Sequence, residues 1–241
     1  MPWQTTGFPG AEPAIAMIHT EQHRRAYLEA LGIDVWLPRG AGEPEAAVPE
    51  AAVAPEGMDW QALREAVASC TRCPLCETRT QTVFGVGYPD ADWMIIGEAP
   101  GAEEDRRGEP FVGRAGKLLD EMLRAVGQGR DRAFIANILK CRPPNNRDPK
   151  PEESAACRGY LERQIELVGP KIILAVGRIA AQLLLETDAP VGRLRGSIHR
   201  LGNVPLVVTY HPAYLLRSPT QKRKAWDDLC LARRALRESA A

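Results

Sequence analysis

The stretch WMIIGEAPG, residues 93–101, carries the pattern that decides the fold. Its first five residues form a short and continuously apolar run, which is typical of a strand buried on both faces of a parallel sheet. The segment GEAPG, residues 97–101, then ends the apolar run with two glycines, which let the backbone approach a ligand closely. We therefore expect a buried strand with a ligand-facing segment at its carboxyl end.

Three more apolar runs follow this one along the chain, at residues 133–140, 171–177 and 205–212. Helical patterns alternate with them, over residues 59–69, 113–126, 151–168, 178–186 and 220–236. Strands that alternate with helices predict a parallel sheet that is covered on both faces. The expected fold class is α/β, a three-layer sandwich with a central four-stranded parallel sheet flanked by helices, plus a short N-terminal extension.

The first quarter of the chain has a different character. Residues 40–57 use only Gly, Ala, Glu, Pro and Val, which indicates an extended acidic linker. The preceding residues 1–39 form an N-terminal extension of unassigned role, with a helix predicted over residues 20–31, and they are too few for a core of their own. The main domain is expected over residues 58–241.

Composition and charge narrow the class of protein. A hydrophobic share of 44% is enough for a packed core, which excludes wholesale disorder. No apolar stretch approaches the roughly 18 residues that a bilayer requires, and no secretory signal is visible, so we expect a cytoplasmic protein without membrane association. The formal net charge of zero divides into −6 for residues 1–69 and +6 for residues 70–241. A basic body beside an acidic appendage is compatible with a nucleic-acid partner.

Five of the six cysteines suggest a metal centre. Cys70 and Cys73 form a C-x-x-C at the end of a predicted helix, with Cys76 shortly after, while Cys141 and Cys157 lie in a distant loop and helix. Disulfides are not expected in a reducing compartment, so a four-thiolate site is favoured. Spacing alone leaves zinc and an iron–sulfur cluster as alternatives. The sixth cysteine, Cys230, is expected to be an ordinary core residue.

Polar or glycine residues stand at the carboxyl ends of all four predicted strands. These positions are Gly97, Asn137, Gly177 and His211. Ligands of open α/β sheets bind in the crevice outside the carboxyl ends of the strands. The sequence therefore predicts one crevice in which these residues converge.

Five separated blocks together resemble a known family. They are CTRC (70–73), GEAPG (97–101), EPFVGRAG (109–116), NILKCRPPNNRDP (137–149) and HPAYLLR (211–217). In this order and spacing they are similar to the family 4 uracil-DNA glycosylases, the iron–sulfur branch of the uracil-DNA glycosylase superfamily. The resemblance covers the chain from about Met58 to the C-terminus. It implies a 4Fe-4S cluster held by Cys70, Cys73, Cys141 and Cys157, with Cys76 left as a spare thiol.

The resemblance also implies an activity: flipping of deoxyuridine out of single- or double-stranded DNA, hydrolysis of its N-glycosidic bond and release of an abasic site. The chemistry would fall to Glu98, Asn137 and His211. Uracil would be bound by the residues Gly97, Glu98, Ala99, Phe111, Asn137 and His211. The segment 214–217 would lie on a loop that enters the DNA groove, and the protein would act as a monomer.

Each role carries over from the family to one matching residue. Phe111 would stack beneath the flipped base, Asn137 would bind the uracil edge, and His211 would donate to uracil O2 as negative charge develops there. Without the family context, these residues are equally compatible with a core Phe, a turn-forming Asn and a helix-capping His. The Asp that positions water in other branches has no counterpart here, because Ala99 stands in its place. Glu98 is then the nearest carboxylate, expected to orient water or to border the C5 side of the base.

Two alternatives from other classes stay open at this point. One is a non-catalytic iron–sulfur protein that binds DNA or assists replication and keeps the fold. The other is a zinc-bound structural or interaction module. Basic residues of the Pro-rich loop, Arg142, Arg147 and Lys150, are candidate phosphate contacts in any DNA-binding alternative.

Overall fold

The computed structural model describes residues 55–239. The predicted N-terminal extension, its helix over residues 20–31 and all but the last three residues of the predicted linker lie outside this range. Among the residues described, no helix is both long and apolar enough to cross a membrane.

A single six-stranded sheet runs through the domain. Its strands are β1 (Val86–Gly87), β2 (Trp93–Gly97), β3 (Ala133–Asn137), β4 (Ile172–Val176), β5 (Ile198–Leu201) and β6 (Val204–Thr209). The spatial order is β1-β3-β2-β4-β6-β5, and the four central strands are parallel. The predicted α/β class is confirmed, whereas the predicted count of four strands is wrong because an antiparallel strand is added at each edge.

The two additional strands have sequences that do not form apolar runs. β1 contains only two residues, and β5 alternates exposed and half-buried side chains, as an edge strand does. A hairpin of two residues joins β5 to β6, since Leu201 pairs with Val204. Gly202 begins that turn with a φ of 57°, the left-handed conformation that such hairpin turns require. The dipeptide Gly202-Asn203 was therefore the sequence signal for β5.

Helices cover both faces of the sheet. They are α1 (Trp60–Ala68), α2 (Leu75–Thr78), α3 (Ala102–Arg107), α4 (Arg114–Ala125), α5 (Pro151–Val168), α6 (Arg178–Leu185), α7 (Val191–Leu194), α8 (Pro212–Arg217) and α9 (Lys222–Ser239). The predicted helix over residues 151–168 coincides with α5. The predicted loop over residues 214–217 is wrong, because Pro212 opens α8 at its first position, where its missing N–H costs nothing.

Side chains of each central strand alternate between two cores. In β2, Met94 and Ile96 pack in the core beneath α1, α5 and α6. Trp93 and Ile95 pack in the opposite core, beneath α4, α8 and α9. Both cores exclude water, so the strands are apolar at every position and the three-layer architecture follows.

The parallel register brings the predicted site residues to one edge of the sheet. Gly97 and Asn137 are paired across β2 and β3, each at the last position of its strand. After β2 the chain continues to β3, on one side of β2, whereas after β4 it continues to β5 and β6, on the opposite side of the sheet. The order in which strands are added therefore switches between the neighbours β2 and β4. This switch point is where ligands of open α/β sheets bind.

A buried carboxylate ties the last strand to the last helix. Asp228 of α9 is fully buried and accepts a hydrogen bond from Thr209 Oγ1 at 2.9 Å and from the backbone N–H of Gly196 at 3.2 Å. Its other partner is Arg195, whose Nη2 lies 2.9 Å from Oδ1. Thr209 is the last residue of β6 and precedes His211 by two positions, so this network fixes the position of His211 relative to the sheet.

Replacing Asp228 with Ala is expected to lower the free energy of unfolding by about 3 kcal/mol, because it leaves the half-buried Arg195 charge and the buried Thr209 hydroxyl without their acceptor. Urea denaturation measures the loss. The matched control is Asp227→Ala on the same helix, which removes an exposed carboxylate and should change stability by no more than about 0.5 kcal/mol. Equal effects of the two substitutions would contradict a special role of the buried network.

Candidate functional site

An open cavity of about 480 Å³ lies at the carboxyl edge of the parallel strands. The structure brings five predicted site residues together in its lining: Glu98, Ala99, Phe111, Asn137 and His211. Gly97, the sixth, is buried directly behind two of them. The predicted convergence is therefore seen for the ends of β2, β3 and β6, whereas Gly177 after β4 is not part of the lining and lies next to His211. The chemical role of each residue stays a prediction.

Gly97 leaves the space that two of these side chains fill. A Cβ atom at this position would lie 2.4 Å from Asn137 Oδ1 and 2.6 Å from Phe111 Cζ. No side chain fits at such distances, so only glycine lets the amide and the ring meet over the end of β2.

Asn137 lines the cavity and carries an unsatisfied acceptor. The residue is 2% exposed, and its Oδ1 atom is buried without a hydrogen-bond partner. Leaving a buried carbonyl oxygen unpaired costs about 1–3 kcal/mol, so a donor brought by a ligand would stabilise this oxygen. The arrangement is suited to a ligand that brings an N–H donor.

His211 is held in one tautomer. Its Nδ1 accepts the backbone N–H of Ala213 at 3.1 Å, as the N-cap of α8. Burial lowers the pKa of His211 to about 4, and the positive charge of Arg217 lowers it further. The imidazole is therefore neutral at pH 7 and carries its proton on Nε2. His211 is thus both the N-cap of α8 and a residue of the cavity lining.

Phe111 and His211 form adjacent walls. Their ring centroids are 5.7 Å apart at an interplanar angle of 31°.

Glu104 borders the same cavity and was missed in the sequence analysis. Its carboxylate accepts hydrogen bonds from the backbone N–H groups of Gly101, Val112 and Gly113. It thereby fixes the segment that follows Phe111, and no motif in the sequence signals this role.

Glu98 shares the cavity with a second carboxylate. Burial raises the pKa of Glu98 to about 7, and the negative charge of Asp148 raises it further, whereas Arg178 acts in the opposite direction. Asp148 is itself paired with Arg178, whose Nη2 lies 2.5 Å from Oδ2. Because burial disfavours the charged form, and a neighbouring negative charge adds to this, Glu98 changes protonation near neutral pH.

The three basic residues of the Pro-rich loop are mostly engaged within the protein. Arg147 borders the cavity, but both of its terminal nitrogens bind the buried Glu153. Arg142 donates to the side chain of Asn146, and Lys150 pairs with Glu152. Arg217 also lines the cavity, and among the described residues it takes part in none of the ion pairs, so it can contact a phosphate.

A second groove, of about 260 Å³, is less suited to chemistry. It lies between α5, α6 and the end of β5, and its wall is formed mainly by aliphatic side chains such as Leu161, Ile165 and Leu184. Ligand sites combine apolar walls with a few convergent polar groups, as the cavity at the strand ends does.

The four predicted cysteine ligands occupy one region. Cys141 and Cys157 are buried in a small core with Leu75 and Leu139, and Cys73 packs against it. Burial raises the pKa of Cys157 to about 12, and negative charge on Cys141 and Cys73 raises it further. Cys70 and Cys73 act in the same direction on the pKa of Cys141. Thiols that influence one another in this way lie near one another.

Within residues 55–239, no group of three or more His, Cys, Asp or Glu side chains is placed to hold a metal ion. A cation nevertheless approaches the thiols, because Arg79 Nη1 donates to Cys141 Sγ at 3.0 Å. Such hydrogen bonds stabilise thiolate character and tune sulfur ligands.

Comparison with known proteins gives one consistent result. The family model of the uracil DNA glycosylase superfamily matches residues 84–230. A type-4 uracil-DNA glycosylase of Thermotoga maritima is 47% identical over 156 residues, which cover 64% of this chain and 81% of the relative. Others with that name, from Archaeoglobus fulgidus and Pyrobaculum aerophilum, are each 43% identical, over 67% and 72% of this chain and over 85% and 93% of their own lengths.

Replacing Asp148 with Asn is expected to lower the pKa of Glu98, because a negative charge that opposes its ionisation is removed. Arg178→Ala should raise it, because the cation that favours the carboxylate is lost. The side-chain carboxyl ¹³C shift of Glu98, identified by its loss in Glu98→Gln, measures both titrations by NMR. Asp188→Asn, at an exposed position after α6, is the control. Identical midpoints in all variants would contradict the coupling.

Proposed function

The chain belongs to the uracil-DNA glycosylase superfamily and to its type-4 group, and from this premise we propose that it removes uracil from DNA. It flips deoxyuridine into the cavity and hydrolyses the N-glycosidic bond, leaving an abasic site. It is thus a hydrolase acting on N-glycosyl bonds, and its general role is DNA repair.

One observation supports the base specificity above all others: the unpaired, buried Oδ1 of Asn137. Uracil offers an N3–H donor to this acceptor and an O4 acceptor to the amide NH₂. Cytosine presents a bare nitrogen at position 3 and an amino group at position 4, so both contacts become repulsive. Sites built to pair with one donor pattern reject its inverse strongly, because their own polar groups are then left unpaired.

The reaction breaks the bond between C1′ and N1, and the electron pair leaves with the base. His211 stabilises the resulting charge, because its neutral ring can donate Nε2–H to uracil O2 as that oxygen becomes negative. Water adds to C1′ and loses a proton, and the released uracil gains one. A preplaced donor of this kind contributes typically about 10²–10³ in rate.

Glu98 is suited to orient that water in its ionised form. Its pKa near 7 leaves a substantial ionised fraction at neutral pH, and it lies at the turn directly after β2. Phe111 supplies the face on which the flipped base stacks. The cytoplasmic location rests on the expected reduced state of the thiols.

We further propose that Cys70, Cys73, Cys141 and Cys157 hold a 4Fe-4S cluster. The donor set fits, because four thiols from the loop between α1 and α2, the Pro-rich loop and α5 lie in one region beside apolar side chains. Four thiolates suit an iron–sulfur cluster as well as zinc, and the similarity to type-4 uracil-DNA glycosylases favours the cluster. When bound, the group supplies a covalent link between these three elements and leaves no coordination position open.

The activity test uses an oligonucleotide with a single deoxyuridine, followed by alkaline cleavage of any abasic site. Wild-type protein is expected to give a strand break, and His211→Ala to slow single-turnover excision by about 10²–10³. The control is His199→Ala on β5, a histidine that hydrogen-bonds the backbone oxygen of Leu194 outside the cavity and should leave the rate unchanged.

The pH dependence of the same assay tests the protonation state of His211. A histidine with a pKa of about 4 does not titrate between pH 5 and 8, so the ratio of wild-type to His211→Ala rates should be constant over that range. Strand breaks on neither single- nor double-stranded DNA would instead favour the non-catalytic, DNA-binding alternative.

For the cluster, Cys157→Ser is expected to lose bound iron and acid-labile sulfide together with the brown colour. Cys76→Ser, which alters a half-buried thiol outside the proposed ligand set, should retain all three. Chemical analysis of the purified proteins for iron, sulfide and zinc makes the measurement. A colourless wild-type protein with one zinc per chain would refute the cluster.

A further inference from the structure

The backbone of Phe111 has a conformation that its side chain disfavours. Its φ is 54°, in the left-handed region. Elsewhere in the described part of the chain, residues other than glycine adopt positive φ only at Asn145, Asn146 and Glu186. Asn tolerates this region, whereas a bulky aromatic residue there is strained and must be held by its surroundings.

Arg130 contacts the strained segment from outside the cavity. Its Nη1 donates to the backbone oxygen of Phe111 at 3.1 Å, and its Nη2 donates to that of Pro110 at 2.5 Å. Asp120 of α4 fixes the guanidinium through a 2.8 Å ion pair to Nη1. The planar fork of arginine can hold two adjacent carbonyls in this way, and a lysine cannot.

Helix α4 also requires this path of the backbone. The carbonyl of Phe111 lies so close to Gly116 that a Cβ there would be 1.6 Å from the oxygen. On the following side, Glu104 accepts the N–H groups of Val112 and Gly113. The carbonyl of Phe111 is therefore held by Arg130, and the N–H groups of the next two residues are held by Glu104. Both charged side chains are half-buried.

The backbone conformation determines where the ring lies. With φ at 54°, the ring is placed over Gly97 and beside His211, 5.7 Å from its centroid. Relaxation to an ordinary negative φ would turn the Cα–Cβ bond and carry the ring away from this wall. Arg130 itself does not line the cavity, so it can affect the cavity only through the segment that it holds.

We propose that Arg130 is a positioning residue for base recognition, which holds Phe111 in its left-handed conformation by bonding the carbonyls of Pro110 and Phe111. The proposal rests on the proposed function, in which the ring of Phe111 stacks on the flipped uracil. It adds a determinant of that site which lies behind the cavity wall and belongs to none of its motifs.

The direct test measures the surroundings of the Phe111 ring by NMR and does not depend on the reaction. The chain has four phenylalanines, so incorporation of 4-fluorophenylalanine gives four ¹⁹F resonances, and Phe111→Leu identifies that of Phe111. Arg130→Ala is expected to shift or split the Phe111 resonance and to leave those of Phe84 and Phe134 in place. Arg132→Ala is the matched control, because Arg132 donates to the backbone oxygen of Gly127 and touches neither carbonyl. An unchanged Phe111 resonance in Arg130→Ala would overturn the proposal.

A double-mutant cycle on single-turnover excision tests the functional consequence. Arg130→Ala is expected to slow excision up to about a hundredfold, the cost of misplacing a recognition group by about 1 Å. In a protein that already carries Phe111→Ala, Arg130→Ala should cause little further loss of excision rate, because both substitutions act through the ring of Phe111. Fully additive losses would overturn the proposal, since Arg130 would then act by another route.

Stability is measured in parallel so that unfolding is not mistaken for mispositioning. If Arg130→Ala does not fold, Arg130→Lys replaces it, because lysine keeps the charge beside Asp120 but cannot hold both carbonyls. Arg130→Lys should then reproduce the ¹⁹F shift, and a wild-type spectrum would count against the proposal. A wild-type protein that excises no uracil refutes the proposed function, whereas a fixed Phe111 resonance with normal excision refutes the role of Arg130 alone.

Discussion

The site depends on the close pairing of Gly97 with Asn137 at the ends of two parallel strands. Because Gly97 has no side chain, the amide of Asn137 and the ring of Phe111 both reach the space above it. The pairing also continues past the strands, as Ile138 and Leu139 donate to the carbonyls of Gly97 and Glu98. The turn that carries Glu98 and the strand end that carries Asn137 are thus one hydrogen-bonded unit, to which β6 adds His211.

Charge is limited at the centre of the cavity and concentrated around it. Asn137 carries no ionisable group, whereas His211 is neutral at pH 7 and Glu98 is only partly ionised because their surroundings are poorly solvated. Charge that develops on a departing base is therefore stabilised by oriented dipoles in a medium of low dielectric constant, where each counts for more than in water. A fixed cation at the same place would also bind the phosphates of undamaged DNA.

The sequence predicts the parts of this molecule that follow from periodic patterns. The apolar runs locate the four parallel strands, and the position of Asn137 and His211 at strand ends predicts that they meet. Strand β5 was missed because His199 and Arg200 interrupt its apolar pattern, although Gly202-Asn203 signals the turn. The contribution of Glu104, Asp148 and Arg130 could not be foreseen, because each acts through a contact with residues distant in sequence or with backbone atoms that carry no side-chain signature.

The proposed metal centre and the base-recognition site are connected by a very short piece of chain. Asn137 and Cys141 are separated by three residues, and the last of them, Lys140, is buried with its Nζ donating to the backbone oxygen of Asn137 at 2.7 Å and to Gln164 Oε1 at 2.6 Å. Gln164 lies on α5, the helix that also carries Cys157, so Lys140 connects the backbone of Asn137 to that helix. A centre that joins Cys141 to Cys157 would thus restrain the backbone of Asn137 without approaching the substrate. A structural cofactor can in this way be required for base recognition while taking no part in the chemistry.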